Sequence, residues 1–309
     1  MILLTGATGF LGSALLKKLP IQKTVTYGRT PPKDTSVIFE HGSLEVDTDY
    51  KTLLKKYEID TIIHTAARVH VMQETTPDPI ASFRQMNTAC TLNLAKQAAQ
   101  SGVKRFIYMS SIKVNGEETT KNAPYQATDT PHPTDPYAIS KYEAEEGLKK
   151  LSQETGLEIV IIRPPLIYGP CVKANFLAML RAIQKGIPLP LGAIHNKRSL
   201  VALDNLIDLI VTCIDHPNAA NQTFLVSDDA DVSTTELLQK MAEAMSKKAW
   251  LLPIPESWLR VCAKIVGKED IISRLCGSLQ VDIQHTKETL GWKPPVTMAE
   301  QLAKIKQSL

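Results

Sequence analysis

Three side chains in the middle of the chain could together transfer a proton at a substrate oxygen. Tyr137 and Lys141 lie four residues apart in a run that reads as a helix, so they share one helical face. A phenol titrates at about 10, and an ammonium group one turn away favours the phenolate and lowers that pKa. Ser111 follows an apolar run, and its hydroxyl could hold the same substrate oxygen. These residues are the candidate catalytic group; a surface tyrosine, a solvated lysine and a turn serine are the alternative.

A glycine-rich turn near the start of the chain could bind the pyrophosphate of a dinucleotide. The apolar run 2–4 predicts a buried strand, and the amphipathic run 13–19 predicts a helix. Between them, Gly6 permits a tight turn, Gly9 lets the backbone approach a phosphate, and Gly12 lets helix and strand pack closely. The sequence therefore predicts a nucleotide site, with simple turn chemistry as the alternative.

The end of the second predicted strand bears on which nicotinamide cofactor is used. Enzymes that prefer NAD usually have an acidic residue there, which binds the ribose 2′-hydroxyl. The predicted strand 24–27 is followed instead by Gly28, Arg29 and Thr30, and a guanidinium group could bind a 2′-phosphate. We therefore expect NADP(H) to be preferred and NAD to be the alternative cofactor. A solvated loop arginine is the competing interpretation of Arg29.

Apolar and amphipathic runs alternate through the first half of the chain, which predicts a doubly wound parallel α/β sheet. Ligands bind at the carboxyl ends of the strands in such a sheet, and Ser111 falls at one of these ends. After the predicted strand 61–64, the small side chains of Ala66 and Ala67 would let a cofactor come close, although a tight turn explains them as well. The predicted helix 82–101 carries Asn87, which either faces solvent or braces the site.

The alternation of strands and helices breaks after residue 170. We therefore predict a nucleotide-binding domain over residues 1–170, to which residues 198–228 return with a further strand. A smaller C-terminal lobe, made of residues 171–197 and 229–309, would bind the substrate and close over the cofactor.

Composition argues against several other classes of protein. The 309 residues allow a large core, and 43% hydrophobic with 22% charged residues is ordinary for a soluble enzyme. A net charge of +3 is too small to argue for nucleic acid, and the five cysteines have no metal-ligand or redox spacing. No apolar run approaches the roughly 20 residues of a membrane span. We expect a cytoplasmic protein with reduced thiols, no metal, no nucleic-acid partner and no membrane insertion.

Four motifs occur in combination: the glycine-rich turn 5–12, Ser110-Ser111 with Gly116, Tyr137-x-x-x-Lys141, and the run 163–170 that ends in Tyr-Gly-Pro. Together they resemble the extended short-chain dehydrogenase/reductase family of nucleotide-sugar epimerases, dehydratases and ketoreductases. The resemblance implies a Rossmann fold, a nicotinamide cofactor and a nucleotide-sugar substrate that is UDP-linked. It also implies site residues: Ser111, Tyr137 and Lys141 for catalysis; Gly6, Thr8, Gly9, Phe10, Leu11, Gly12, Arg29, Ala66, Ala67, Tyr137, Lys141 and Pro164 for the cofactor; and Ser111, Asn175, Arg198 and Arg274 for the substrate.

Departures from the family pattern narrow the expected activity. Related 4,6-dehydratases have an Asp-Glu pair after the catalytic serine or threonine, where this chain has Ile112 and Lys113, so dehydration is not expected. Epimerases usually carry an acidic 2′-hydroxyl binder and keep NAD bound, whereas this chain has Arg29. The segments around Ser111 and Arg163 resemble a subgroup associated with bacterial surface-polysaccharide synthesis.

Our first hypothesis is therefore a 4-ketoreductase, in which NADPH reduces a UDP-4-keto-6-deoxy-N-acetylhexosamine. The alternative is a UDP-hexose or UDP-N-acetylhexosamine 4-epimerase that uses bound NAD and the same catalytic residues. A nucleotide-sensing protein without turnover is a third hypothesis, which the presence of both Tyr137 and Lys141 disfavours. The resemblance also suggests a homodimer formed through helices such as 82–101 and 137–152.

Overall fold

Seven parallel strands form the central sheet of the protein, which the computed structural model describes over residues 1–69, 78–120, 123–265, 267 and 269–308. The order of the strands reverses between the first and the fourth, and ligands bind parallel sheets at such a switch point. Numbered along the chain and given in spatial order, the strands are β3 (Ile38–His41), β2 (Thr24–Gly28), β1 (Ile2–Thr5), β4 (Thr61–His64), β5 (Arg105–Met109), β6 (Glu158–Arg163) and β9 (Gln222–Leu225).

The central strands are apolar along their whole length because both faces of the sheet are covered. Leu3 and Leu4 on β1, and Phe106 and Ile107 on β5, are all fully buried. Alternate residues of each strand join two hydrophobic cores on opposite faces of the sheet. The predicted doubly wound parallel sheet is therefore confirmed.

Helices of the first half connect these strands. The predicted helix 82–101 is longer and less regular than expected, because a π-helical segment over Arg84–Ala89 interrupts it. Short 3₁₀ turns lie at Ile21–Lys23 and Ile112–Val114. The α-helices are α1 (Phe10–Leu16), α2 (Lys51–Lys56), α3 (Pro79–Phe83), α4 (Cys90–Gln100) and α5 (Pro136–Thr155).

The second half adds a small sheet and a further core. Strands β7 (Leu166–Tyr168) and β8 (Leu200–Ala202) pair in parallel outside the main sheet, and the chain then returns, so that β9 pairs with β6. A separate hydrophobic core holds together three helices of this half, over Ala174–Gln184, Thr234–Ala244 and Met298–Ser308. The helices are α6 (Ala174–Gln184), α7 (Leu203–Asp215), α8 (Thr234–Ala244), α9 (Glu256–Ile265), α10 (Glu269–Cys276), α11 (Gln284–Leu290) and α12 (Met298–Ser308), with a 3₁₀ turn at Pro217–Ala219.

Within the described part of the chain, no helix has the length and apolar character needed to cross a bilayer.

Candidate active site

The glycine-rich turn after β1 depends on the absence of side chains. Gly6 has a φ of +76°, and a Cβ atom on it would lie 2.7 Å from the backbone nitrogen of Ala66. A Cβ atom on Gly12 would lie only 2.1 Å from the carbonyl oxygen of Gly6. Both distances are far below van der Waals contact, so β1, α1 and the segment after β4 meet at a point that only glycine permits. This cradle fits the phosphates of a dinucleotide.

Of the residues between these glycines, some pack into the hydrophobic core and one lines a neighbouring cavity. Helix α1 begins at Phe10, three residues before the predicted start at Ser13, because the extended Gly9 serves as its N-cap. The side chains of Phe10 and Leu11 are partly buried and pack against the hydrophobic cores. Thr8 is exposed, and it lines a cavity at the ends of β1 and β2.

A cavity opens where β1 and β2 end, between the glycine turn and the segment after β2. Arg29 lies on its wall and is exposed to solvent. None of the described residues on this wall carries a carboxylate, so the acidic ribose binder expected of an NAD enzyme is missing here. The lining residues are Gly6, Ala7, Thr8, Thr26, Tyr27, Gly28, Arg29, Thr30, Pro32 and Phe39.

The candidate catalytic hydroxyls meet at the carboxyl edge of the sheet. Ser111 lies two residues beyond the end of β5 and caps the 3₁₀ turn, and its side chain lies beside that of Tyr137 at the start of α5. Desolvation raises the pKa of Tyr137 to about 12. The neighbouring Ser111 hydroxyl lowers this pKa by a smaller amount, and the charge of Asp135 adds to the rise. The lowered tyrosine pKa that the sequence suggested is therefore absent in the protein alone, because burial outweighs the other effects.

Lys141 lies one turn further along α5 and is almost fully buried. Its Nζ atom donates a 2.7 Å hydrogen bond to the carbonyl oxygen of Met109 and sits 4.6 Å from the centre of the Tyr108 ring. Burial lowers the pKa of Lys141 to about 7, and the negative charge of Glu145 opposes that shift. The lysine thus holds the end of β5 against α5, two residues before Ser111.

The N-terminus of α5 is fixed by an ion pair that sequence reasoning missed. Asp135 caps the helix by accepting a 2.8 Å hydrogen bond from the backbone of Ala138, and Pro136 occupies the first turn. Lys113 pairs with the Asp135 carboxylate from the loop after Ser111. The Asp-Pro sequence directly before Tyr137 is a recognisable helix-start signal that could have revealed this cap.

Asn87 braces the site and does not face solvent. It is buried in the π-helical segment, where its side-chain oxygen accepts a 2.8 Å hydrogen bond from the backbone of Arg68. Its amide nitrogen donates to the Ser140 hydroxyl, at 3.0 Å, and to the Arg68 carbonyl. Asn87 therefore connects the segment after β4 to α5, the helix of Tyr137 and Lys141.

The remaining expected cofactor contacts lie around the same edge. Ala66 and Ala67 follow β4 and are half-buried, and Ala66 lies directly beside Gly6. Pro164 follows β6 and is buried, and its carbonyl oxygen accepts a 3.0 Å hydrogen bond from the backbone of Ile112, next to Ser111. Ala66 lies at the switch point between β1 and β4, and Pro164 lies further along the same edge of the sheet, after β6. This placement fits a nicotinamide dinucleotide.

The structure brings together two of the three further residues expected to bind substrate. The Arg198 guanidinium donates to the carbonyl oxygens of Arg274, at 2.8 Å, and Gly277, at 3.1 Å. Burial lowers the pKa of Arg198, while the Arg274 side chain is exposed. Asn175 is exposed in the first turn of α6 and, within the described ranges, makes no hydrogen bond to either arginine.

The segment that Arg198 holds also contacts the loop after Ser111. The backbone of Thr119 donates to the carbonyl oxygen of Ser278, at 2.8 Å, and that of Tyr125 donates to Gln280, at 2.9 Å. The segment after α10 is therefore joined to the loop that follows Ser111, which we call the catalytic loop because it carries a candidate catalytic residue. This contact connects the expected substrate-binding and catalytic residues. Over the residues that the structure covers, no cluster of His, Cys, Asp and Glu could hold a metal ion.

The chain is similar to known proteins that act on nucleotide sugars, which fits the geometry of this site. Residues 2–227 match the NAD dependent epimerase/dehydratase family. The chain is 50% identical to a UDP-glucose 4-epimerase of Vibrio cholerae, over 99% of this chain and 94% of the relative. It is 26% identical to an N-acetyl-α-D-glucosaminyl-diphospho-ditrans,octacis-undecaprenol 4-epimerase of Escherichia coli O157:H7, over 99% of this chain and 94% of that protein.

Solved structures share the fold over nearly the whole chain. A UDP-glucose 4-epimerase of Thermotoga maritima, solved with UDP-glucose, has a TM-score of 0.79 at 23% identity, covering 99% of this chain and 97% of its own. A UDP-glucuronic acid 4-epimerase of Bacillus cereus, solved with NAD, has a TM-score of 0.79 at 19% identity, with the same coverage. The resemblance based on the four motifs is confirmed, and the chain belongs to the NAD dependent epimerase/dehydratase family.

Proposed function

We propose that this protein is a UDP-sugar 4-epimerase that acts with a bound NAD. The observation that carries the proposal is the 50% identity, over 99% of the chain, to a protein named UDP-glucose 4-epimerase. This reverses the order of our two sequence-based hypotheses, in which the 4-ketoreductase came first. The glycine cradle and the proximity of Ser111 to Tyr137 at the sheet edge support the same assignment.

The chain's own residues would handle the proton of the C4 hydroxyl. Tyr137 would remove that proton, and Ser111 would hydrogen-bond to the same oxygen as it becomes a carbonyl. The glycine cradle would hold NAD, which when bound supplies a hydride acceptor for C4. The keto sugar would turn over in the site before the hydride returns to its opposite face. The positive charge of Lys141, one turn from Tyr137, would favour the phenolate in this step. Tyr137 would then return the proton to the newly formed alkoxide.

Substrate binding would fall to the region joined to the catalytic loop. Arg198 and Arg274 meet at the end of α10, and guanidinium groups suit the oxygens of a nucleotide diphosphate. The exposed Asn175 at the start of α6 would contact the sugar or its neighbouring phosphate. We also propose that the segments 171–197 and 229–309 act as the substrate-binding lobe.

A second candidate function is the 4-ketoreductase with NADPH, which one observation favours. Arg29 lies on the wall of the cavity at the end of β2, and no described residue there carries a carboxylate. Such a wall suits a 2′-phosphate better than a 2′-hydroxyl. The two candidates differ in how the cofactor is used: an epimerase restores its cofactor in every cycle, whereas a reductase must exchange it.

The test is to denature the purified protein and identify the released nicotinamide by mass spectrometry. NAD at about one molecule per chain, together with interconversion of UDP-glucose and UDP-galactose, is the expected result. A protein that releases no nicotinamide, binds NADPH more tightly than NADH, and consumes NADPH with a 4-keto sugar nucleotide would instead establish the reductase.

A further inference from the structure

A buried ion pair lies directly behind the candidate catalytic group and has no part in the proposed proton transfer. Glu145, one turn beyond Lys141 on α5, pairs with Arg163 at the end of β6, and the two side chains are 0% and 1% exposed. Arg163 binds in a bidentate manner, with Nε 2.9 Å from one carboxylate oxygen and Nη2 2.5 Å from the other. Removing two charges from water is costly unless further hydrogen bonds to the pair compensate for the lost hydration.

The pair holds the loop that carries Ser111 at both ends. On one side, the Ser110 hydroxyl donates a 2.5 Å hydrogen bond to the Glu145 carboxylate. On the other side, Arg163 donates a 2.9 Å hydrogen bond to the side-chain oxygen of Asn115, which ends the 3₁₀ turn. The residue before Ser111 and the residue closing its turn are therefore fixed by one ion pair.

The same carboxylate influences Lys141. Among the charged and titratable groups around the Lys141 ammonium are Glu145 on α5, His64 on β4 and Tyr108 on β5. Burial lowers the pKa of Lys141, and Glu145 is the charge that opposes this shift. Without this carboxylate the lysine would lose its proton more readily, and a neutral lysine cannot favour the Tyr137 phenolate.

We propose that Glu145, fixed by Arg163, is a positioning residue that holds the Ser111 loop and Lys141 in one frame. The inference rests on the proposed roles of Ser111, Tyr137 and Lys141. It extends the site by one turn of α5, since residues 137, 141 and 145 share a helical face. Glu145 itself is buried away from solvent and acts through its neighbours, not on the substrate.

The chain offers a matched control at the opposite end of the same two strands. Arg105, the first residue of β5, pairs with Glu158, the first residue of β6, and the Arg105 side chain is only 4% exposed. This pair also joins β5 to β6, but it lies at the amino ends of the strands, away from Ser111. A purely structural effect of breaking a strand-joining ion pair should appear in both places.

The experiment compares the double variant Glu145→Gln/Arg163→Gln with the single variant Glu158→Gln in the full-length protein. The double variant removes both charges of the pair together, so neither is left buried opposite an uncharged partner. We would measure kcat for UDP-glucose and UDP-galactose interconversion, the Kd for NAD, and the melting temperature. NMR titration of protein labelled with ¹³C-lysine would report the ionisation of Lys141, whose signal is assigned with Lys141→Arg.

We expect the double variant to lose about 100-fold in kcat, as small misplacements of reacting groups do, while its Kd for NAD is retained. Its Lys141 should also titrate at lower pH than in the unmodified protein. Glu158→Gln should lower the melting temperature and leave kcat and the Lys141 titration unchanged. A folded double variant with unchanged kcat and an unchanged Lys141 titration would overturn the inference, as would equal kcat losses in both variants.

Ser110→Ala provides a milder test if the double variant fails to fold. It removes one hydroxyl contact to Glu145 and should lower kcat with only a small fall in melting temperature. Unchanged kcat would overturn the inference. Should the unmodified protein fail to interconvert the two UDP-sugars, the proposed function would fall. The Lys141 titration needs no turnover and would still decide whether Glu145 controls this lysine.

Discussion

Burial controls the ionisation of the two functional groups on α5 and moves both toward their neutral forms. It raises the pKa of Tyr137 to about 12 and lowers that of Lys141 to about 7. The charges nearby are few: Asp135 raises the pKa of Tyr137, and Glu145 raises that of Lys141. A bound cofactor and substrate would change this local charge and with it the pKa of the phenol.

The Tyr137 hydroxyl is the group whose loss should be most damaging. Tyr137→Phe keeps the ring but removes the proton carrier, and we expect kcat to fall by about 10³-fold or more. The affinities for NAD and UDP, measured by calorimetry, should remain close to those of the unmodified protein. Tyr142→Phe, on the same helix, is the control and should retain activity. Near-normal turnover by Tyr137→Phe would show that the proposed proton transfer is wrong.

His64 should make the stability of the protein dependent on pH. Burial, and to a smaller extent the charge of Lys141, lowers its pKa from 6.5 to about 3. Below pH 6.5 the unfolded chain therefore takes up a proton that the folded protein does not. His64 thus contributes a loss of about 1.4 kcal/mol of unfolding free energy per pH unit between these values.

Urea denaturation at pH 5 and at pH 7.5 would measure this contribution. His64→Gln should be less stable at pH 7.5 but should lose less stability on acidification than the unmodified protein. His41→Gln, at an exposed position at the end of β3, serves as the control and should keep the original pH dependence. An undiminished loss in His64→Gln would contradict the assignment.

At the scale of elements, hydrophobic patterning predicted the strands well and the irregular segments poorly. Apolar runs at 2–4, 24–27 and 61–64 indicated three strands to within one residue, because strands covered on both faces of the sheet are apolar along most of their length. The π-helical segment with Asn87 and the 3₁₀ turn after Ser111 left no such pattern. Their shapes depend on tertiary partners, such as Ser140 and Pro164, that are distant in sequence.

The early start of α1 leads to a prediction about that element. Gly12 lies in its first turns, and a methyl group there would collide with the carbonyl of Gly6. Gly12→Ala should therefore displace α1 from β1, lower the melting temperature and weaken NAD binding at least about tenfold. Ser13→Ala alters the neighbouring exposed residue and should change neither property. Unaltered NAD affinity in Gly12→Ala would rule out the cradle as the phosphate site.

At the scale of the whole molecule, the catalytic loop lies between the main sheet and the end of α10. The sequence indicated that the chain returns to the sheet, and β9 does pair with β6. It did not reveal that Arg198 holds the end of α10 or that Thr119 bonds to Ser278, since neither contact leaves a local pattern. The division into two domains at residue 170 and the homodimer remain predictions.

This long-range arrangement predicts how nucleotide-sugar binding should respond to mutation. Arg198→Ala removes both a guanidinium and its bonds to the end of α10, so UDP should bind at least about tenfold more weakly. Lys197→Ala, at the exposed neighbouring position, is the control and should bind UDP normally. Calorimetry would measure both, with NAD affinity as an internal reference. Equal UDP affinities in the two variants would exclude Arg198 from the diphosphate site.

The central claim is that the hydride leaves C4 of a UDP-sugar and returns to the same sugar on the opposite face. The direct measurement is to incubate the purified protein with UDP-galactose deuterated at C4, without added cofactor, and to follow the products by NMR and mass spectrometry. We expect the product to be UDP-glucose that retains deuterium at C4. No conversion of UDP-galactose by protein that contains NAD, or a product without deuterium, would contradict it.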